Sequence, residues 1–501
     1  MTQPNKALTN ASTDTLTDAS TNASTNTSIN VNSGEGEVLL KDDCAMATRK
    51  SSGKSSGKSS GKSSGKSSIR ADDLDGQIDV QTNVQTNVQT DIQTDIQQAI
   101  AQLTTGDFPQ KWNNAKQLSG QFAEWGDRAV SPLIESLQSE SNPENKGFLI
   151  RTLSQFDHPA VVEAIARTLV DTRDIDLQTE ATKALTTLGS SAIETLSALL
   201  KSASITEQIL AARTLSCIRR TPVIEPLLDV ADHPNITLRT IAIETLGSFH
   251  DARITPVLIA ATQDEPAVSK EAIRALSRRR DLLESVDLIG PLSLTLQSAD
   301  MRIAQESAIA LGRLGTPSAI APLAALLSRP SPTPVKIIAA RALGWIGTPP
   351  AMEALAEAFD YGPPIVLPAV QQEIAQSLSQ AQAPQIKHIA SPPLIDWLKA
   401  FSPAASSAEA DDDVTETPAT SEMFALKQTV ISALSRLGDC SAIDSLVRSL
   451  ADPDPRIRMH ILSALKQIDP RAAQDKIKAY LTNPELSPYR RQLVEASLSA
   501  W

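Results

Sequence analysis

Lys116, Arg151, Lys183, Arg213, Arg274 and Arg341 share one property: each stands two residues before a leucine that recurs along the chain. Guanidinium and ammonium groups set at a repeated interval can do one kind of chemistry together, the recognition of carboxylates on an acidic partner. Glu244 and Ile309 interrupt the series, and the last four leucines carry Gln376, Ser432, Ser463 and Ala496 at this offset. Two residues after their own leucines, Arg278, Arg313 and Trp345 lie one turn further along the same side of a helix. These are the candidate partner-binding residues.

Residue types that carry covalent or metal chemistry are sparse and scattered. His158 and His233 each precede a proline in what reads as a turn, and His250, His388 and His460 stand apart from one another. The chain holds no HExxH and no His-Glu dipeptide. Cys44, Cys217 and Cys440 form no CxxC, so neither a zinc site nor a disulfide framework is expected, and a reducing, cytoplasmic setting fits. Cys217 reads as packing and Cys440 as exposed in a turn. A phosphate-binding Gly-rich loop and a dinucleotide fingerprint are missing from the sequence, and Gly-x-Ser-x-Gly occurs only as the repeated "GKSSG" of the low-complexity stretch 53–65, whose composition predicts neither the strand nor the helix a nucleophile elbow requires. No catalytic residue, metal ligand or cofactor-binding residue is assigned.

The leucines that set this register are Leu118, Leu153, Leu185, Leu215, Leu246, Leu276, Leu311, Leu343, Leu378, Leu434, Leu465 and Leu498. Their spacing of mostly 30–35 residues is that of a stack of helical pairs. Eleven residues before the leucine stands Asp107, Asn142, Asp174, Ser204, Asn235, Glu265, Asp300, Asp454 or Ser487, nearly all of them types that cap a helix start. Four before it is often Ala, one before it is small, and three after it is apolar, which together make one buried helical face. Gly189, Gly315, Gly347 and Gly438 then stop the helix. The phrases "ALGRLGTPSAIAPLAALL" from Ala310, "ALGWIGTPPAMEALAEAF" from Ala342 and "ALSRLGDCSAIDSLVRSL" from Ala433 are therefore the joint between one hairpin and the next. Trp501 falls in register with Ile468 and Leu437 and is expected to be buried. Lys111, Lys146, Arg239, Lys336, Lys427, Arg458 and Arg491, seven before their leucines, flank the buried face and are expected to be structural.

The first helix of many units carries a proline followed by a second apolar residue, at Pro132, Pro226, Pro256, Pro291 and Pro322, expected to bend it. With "DPDPRIRMHILSALKQI" (452–468), this pattern resembles the HEAT repeat, and the short unit resembles the phycobilisome-lyase HEAT-like class, over roughly residues 92–501. The resemblance implies an all-α, right-handed α-solenoid, an armadillo/HEAT-like superhelix of about twelve helical hairpins, with second helices on its concave side. The function it implies is a non-catalytic scaffold that holds a protein partner in that groove, with an acidic phycobiliprotein as one such partner. The alternative it implies is a subunit of a bilin lyase, in which bilin would be the only cofactor. Deoxyhypusine hydroxylase shares this scaffold but uses His-Glu pairs, and their absence here separates the chain from that enzyme.

Residues 1–88 are low in complexity, with "SSGKSSGKSSGKSSGK" at 51–66, and are expected to be disordered. A solenoid is expected over 89–401, an acidic disordered insert over 402–422, and the final repeats over 423–501. Residues 1–91 carry nine Lys/Arg against eleven Asp/Glu, and 402–422 carry six acidic residues and no basic one. Of the net −12, about −4 is left for the remaining residues, the opposite of a nucleic-acid binder's balance. The N-terminus shows no secretory leader, and no run of about 18 apolar residues occurs, so no membrane span is expected.

Overall fold

The recurring leucines become the floor of a helical stack: Leu153 through Leu465 are fully buried, and Leu118 nearly so. The computed structural model describes residues 90–360, 366–381, 383–400, 418–484, 486–498 and 501. These residues form helices and no strand. In chain order the helices are α1 (90–104), α2 (Phe108–Trp125), α3 (Asp127–Ser139), α4 (Pro143–Leu153), α5 (Pro159–Asp171), α6 (Ile175–Leu188), α7 (Ser190–Leu199) and α8 (Ile205–Cys217). There follow α9 (Ile224–Leu228), α10 (Ile236–Leu246), α11 (Ile254–Ala261), α12 (Pro266–Leu276), α13 (Ile289–Thr295), α14 (Met301–Leu314), α15 (Ile320–Ser328) and α16 (Thr333–Ile346). The last are α17 (Pro349–Asp360), α18 (Pro368–Leu378), α19 (Pro384–Ala400), α20 (Pro418–Leu437), α21 (Ile443–Ser449), α22 (Pro455–Ile468), α23 (Pro470–Leu481) and α24 (Pro488–Leu498). Odd and even helices alternate as first and second members of a hairpin, and each even helix packs on the next from α2 to α24. This is an all-α solenoid.

Caps start the even helices as the spacing predicts. Asp107, Asn142, Asp174, Ser204, Asn235, Asp300 and Asp454 each accept a hydrogen bond from an amide in the first turn, and Ser487 accepts one from Arg490. Glu265 does not cap, because its carboxylate is drawn away to Arg239. At the other end, Gly315 and Gly347 adopt left-handed backbone with φ of 69° and 64°, which only glycine reaches without strain, and their amides donate to Leu311 and Leu343.

The first-helix prolines differ from expectation. Pro226, Pro256, Pro291 and Pro322 each occupy the third residue of a helix, at α9, α11, α13 and α15. The first four amides of a helix have no partner within it, so a proline there breaks no ladder bond and need bend nothing. Pro256 and Pro291 thus lie in the opening turn of their helices, whereas Pro226 and Pro322 follow directly on the 3-10 turns Thr221–Val223 and Pro317–Ala319, and Pro132 lies deeper in α3.

Small residues let the even helices approach closely. Ala181, Ala211, Ala242, Ala272 and Ala339 have no exposed surface. Where glycine follows the leucine the contact is tighter still. A Cβ added at Gly247 would lie 2.5 Å from Ala275 Cβ, one at Gly312 2.7 Å from Ala342 Cβ, and one at Gly344 2.9 Å from Ser377 Cβ. The α10–α12, α14–α16 and α16–α18 contacts are thus backbone against side-chain stub.

Trp501 is half-buried rather than enclosed: its ring packs on the core, and Lys466 Nζ stands 5.4 Å from the ring centroid. The helix α20 begins at Pro418, within the stretch expected to be an insert, and packs on α18. The tail expected over 1–88 and the insert up to 417 lie outside the described residues. None of the described helices is long and apolar enough to cross a membrane.

Candidate partner-binding face

Capping and the leucine register turn the offsets two before and two after the leucine toward solvent, while the residue five before is mostly half-buried beside them. Four of the six basic candidates two before the leucine are already paired with carboxylates of the chain itself. Arg151 Nη2 donates to Glu180 Oε2 at 2.8 Å, and Lys183 Nζ lies 3.8 Å from Oε1 of the same carboxylate. Arg274 Nη2 reaches Glu306 at 2.7 Å and its Nη1 reaches Glu271 at 3.2 Å. Arg341 clasps Glu373 with Nε and Nη2, at 2.9 and 2.7 Å. Hydrogen bonding to these carboxylates holds the Arg274 and Arg341 guanidiniums even more firmly protonated than usual.

Three of these bonds follow one rule. The arginine two before one leucine pairs with the glutamate five before the next, from α4 to α6, α12 to α14, and α16 to α18. Glu180, Glu271, Glu306 and Glu373 share that offset in the sequence, a signal that a search of one position at a time passes over. Lys116 and Arg213 remain exposed. The next unit offers them Phe148 and Ile241 at the pairing offset, so the ladder has no rung there.

At the N-terminal end of the row the face is aromatic. Phe108 stacks on Trp112 with centroids 6.2 Å apart and meets Phe148 at 5.4 Å, and the Arg151 guanidinium lies 4.7 Å over the Trp112 ring. Cation–π contact and the ion pair to Glu180 hold this arginine together.

Arg278, Arg313 and Trp345 are exposed on three consecutive even-helix ends. In the run Arg278-Arg279-Arg280 only the middle side chain turns inward, where buried Arg279 pairs with Asp281 at 3.0 Å. Arg280 instead donates through Nε and Nη2 to the Arg313 backbone oxygen, the former at 2.8 Å. That oxygen belongs to the carbonyl-rich end of α14, which favours a cation. Among the described residues no carboxylate pairs with Arg278, Arg280 or Arg313. Trp345 is 46% exposed, and its Cε3 would be 3.1 Å from a Cβ at Gly312, so the ring is braced against bare backbone on one side.

The residues seven before the leucine act within the stack. Arg239 binds Asp264, the His233 and Pro234 carbonyls and Glu265. Its hydrogen bonds pull the Asp264 carboxyl down to about 2. Lys427 pairs with Asp452 at 2.8 Å, Lys111 with Glu144 at 2.9 Å, Arg458 donates to the Asp452 and Pro453 carbonyls, and Arg491 to that of Asn483. Lys336 is buried and donates to the Leu327 carbonyl, and desolvation lowers its pKa. Lys146 is half-buried at the rim of a cleft.

Little else is arranged for chemistry. His158 Nδ1 accepts the Ala160 amide and caps α5, and His233 Nδ1 accepts the Asn235 amide in the turn before α10. Cys217 is half-buried and Cys440 exposed. Among the described residues no three His, Cys, Asp or Glu side chains gather as metal ligands would. Two open clefts, of about 360 Å³ beside Leu283–Ile289 and about 370 Å³ beside Lys146 and Arg173, are lined by no histidine or cysteine.

The family model for HEAT repeats matches residues 130–216, 224–291, 289–379 and 419–499, well over half the chain. Among solved structures, Kap121p bound to Pho4p is 13% identical with a TM-score of 0.50, covering 79% of this chain and 48% of that one. Kap95p, from its complex with RanGDP, is 12% identical with a TM-score of 0.45, covering 81% of this chain and 61% of that one. Human deoxyhypusine hydroxylase is 19% identical with a TM-score of 0.23, covering 62% of this chain and 96% of that one. No curated protein matches.

Proposed function

This chain belongs to the HEAT-repeat family, and from that premise we propose that it is a non-catalytic scaffold that binds a protein partner along the outward face of its second helices. The solved neighbours supply the fold alone; the reading rests on the face itself. One observation carries it: an unbroken row of even helices presents equivalent outward positions at each step, and Trp345 stands half-exposed among them on a fixed seat. Aromatic and arginine side chains that are held in place and open to solvent are the groups that anchor protein interfaces.

The finer reading makes the partner an acidic phycobiliprotein, and its only support is the resemblance of the short repeat to the phycobilisome-lyase class. The test is affinity capture on immobilised full-length protein from an extract of its own source, followed by cross-linking. A retained partner cross-linked to even-helix residues supports the scaffold. An empty capture, or cross-links confined to odd helices, overturns it. Covalent transfer of bilin to an apo-phycobiliprotein by the purified chain would replace the non-catalytic reading with the lyase one.

A further inference from the structure

The ion-pair ladder decides which cations on this face are available to a partner. Arg151, Arg274 and Arg341 already spend their charge on Glu180, Glu306 and Glu373. An incoming carboxylate there would have to displace an intramolecular one in an established geometry, with no net gain in pairing. Arg278, Arg280 and Arg313 differ. They are exposed, they gather where α12 ends and α14 ends, and among the described residues none faces a carboxylate. In a chain of net charge −12, these are three neighbouring guanidiniums with no carboxylate partner among the described residues.

One step along the row, on α16, Trp345 adds a rigid apolar surface. Gly312 precedes Arg313 in sequence and seats the indole, so the ring and the Arg313 guanidinium are carried by neighbouring residues of one helix junction. On that flank Arg341 is already paired with Glu373.

We propose that Arg278, Arg280, Arg313 and Trp345 form the docking site for an acidic polypeptide segment that carries an apolar side chain next to its carboxylates. The carboxylates meet the three guanidiniums and the apolar side chain covers the open face of Trp345. This deepens the scaffold reading and rests on it. A nucleic acid is the poorer fit, because a chain of net charge −12 offers no extended basic surface for a continuous phosphate backbone, and the oligonucleotide below tests it.

The experiment uses the full chain and a fluorescein-labelled peptide of repeated Glu-Glu-Leu-Glu, read by anisotropy. A Lys-Lys-Leu-Lys repeat and a single-stranded oligonucleotide serve as comparison probes. The acidic peptide is expected to bind, and to bind more weakly as salt rises. Arg278→Ala combined with Arg313→Ala is expected to weaken it about tenfold, and Trp345→Ala about fivefold or more. Arg274→Ala, at a cation already paired, is expected to leave it within about twofold. Unchanged helical circular dichroism identifies variants that are folded. Should a variant lose its fold, Arg278→Gln with Arg313→Gln, which keeps the side-chain stems, gives the same reading. Tighter binding of the basic peptide or the oligonucleotide overturns the inference. So does equal binding of the acidic peptide by wild type and the double variant. A failed peptide alongside a successful affinity capture removes this site and leaves the scaffold standing, whereas an empty capture removes the scaffold itself.

Discussion

Arg239 on α10 and Asp264 in the loop before α12 are joined by two hydrogen bonds, Nε to Oδ2 at 2.8 Å and Nη2 to Oδ1 at 2.7 Å. The bond spans two hairpins, and the guanidinium holds the Asp264 carboxyl near 2, against about 3.9 in an unfolded chain. A carboxyl whose folded pKa is depressed contributes stability above its unfolded pKa and loses that contribution as pH falls through the folded one. Asp264→Asn should therefore cost about 1–2 kcal/mol at neutral pH. Urea titrations of both proteins should show the difference shrinking between about pH 5 and pH 2. A gap that stays constant over that range would mean the pair is not what stabilises this joint.

The ladder pairs lie nearer to water, and their weight should be smaller. For Arg274 and Glu306 a double-mutant cycle to alanine should return a coupling of about 0.5 kcal/mol, reduced by added salt. A coupling above about 2 kcal/mol would place the pair in a far drier environment than its half-exposed arginine indicates.

Close approach of α10 to α12 depends on Gly247. Alanine there would bring its Cβ to 2.5 Å from Ala275 Cβ, while also adding helix propensity. Overpacking should win, with a net loss of about 1–2 kcal/mol in thermal or urea unfolding. Ala275→Gly in the same chain should recover part of it. A stabilised Gly247→Ala protein would show that the two helices separate without cost.

Helix starts should respond to side-chain chemistry and not to size. Asp174 accepts from the Leu177 amide at 2.9 Å, so Asp174→Ala should lose about 1 kcal/mol and Asp174→Asn almost nothing. Equal losses for the two would assign the effect to charge rather than capping.

The stack was legible in the sequence because each unit repeats the same local chemistry. A capping residue, a small residue, a leucine and a glycine at fixed offsets leave few alternatives to a paired helix, and Asp107 and Asn142 cap as their positions require. What escaped was the relation between units. Arg341 and Glu373 are 32 residues apart, and nothing in either helix alone reveals that stacking brings them together. The ridge therefore read as bare cations although its acidic partners stood in the same sequence. The prolines were misjudged for a similar reason. Whether Pro256 bends a helix or begins one turns on where α11 starts, and the 3.6-residue pattern blurs an end by a turn. Arg278 and Arg280 also look alike in sequence, and only the inward turn of Arg279 between them sorts the three.

The glycine contacts have a mechanical consequence. Side chains packed against side chains can change rotamer and let two helices slide, but Gly312 against Ala342 leaves no such slack. The α14–α16 step is therefore a hard stop, and Arg313 and Trp345 are held at a set interval like two marks on a ruler. At the docking site proposed above, a partner whose acidic and apolar groups matched that interval would bind without distorting either molecule. One that did not would have to do all the bending itself, which would select partners by length as well as by charge.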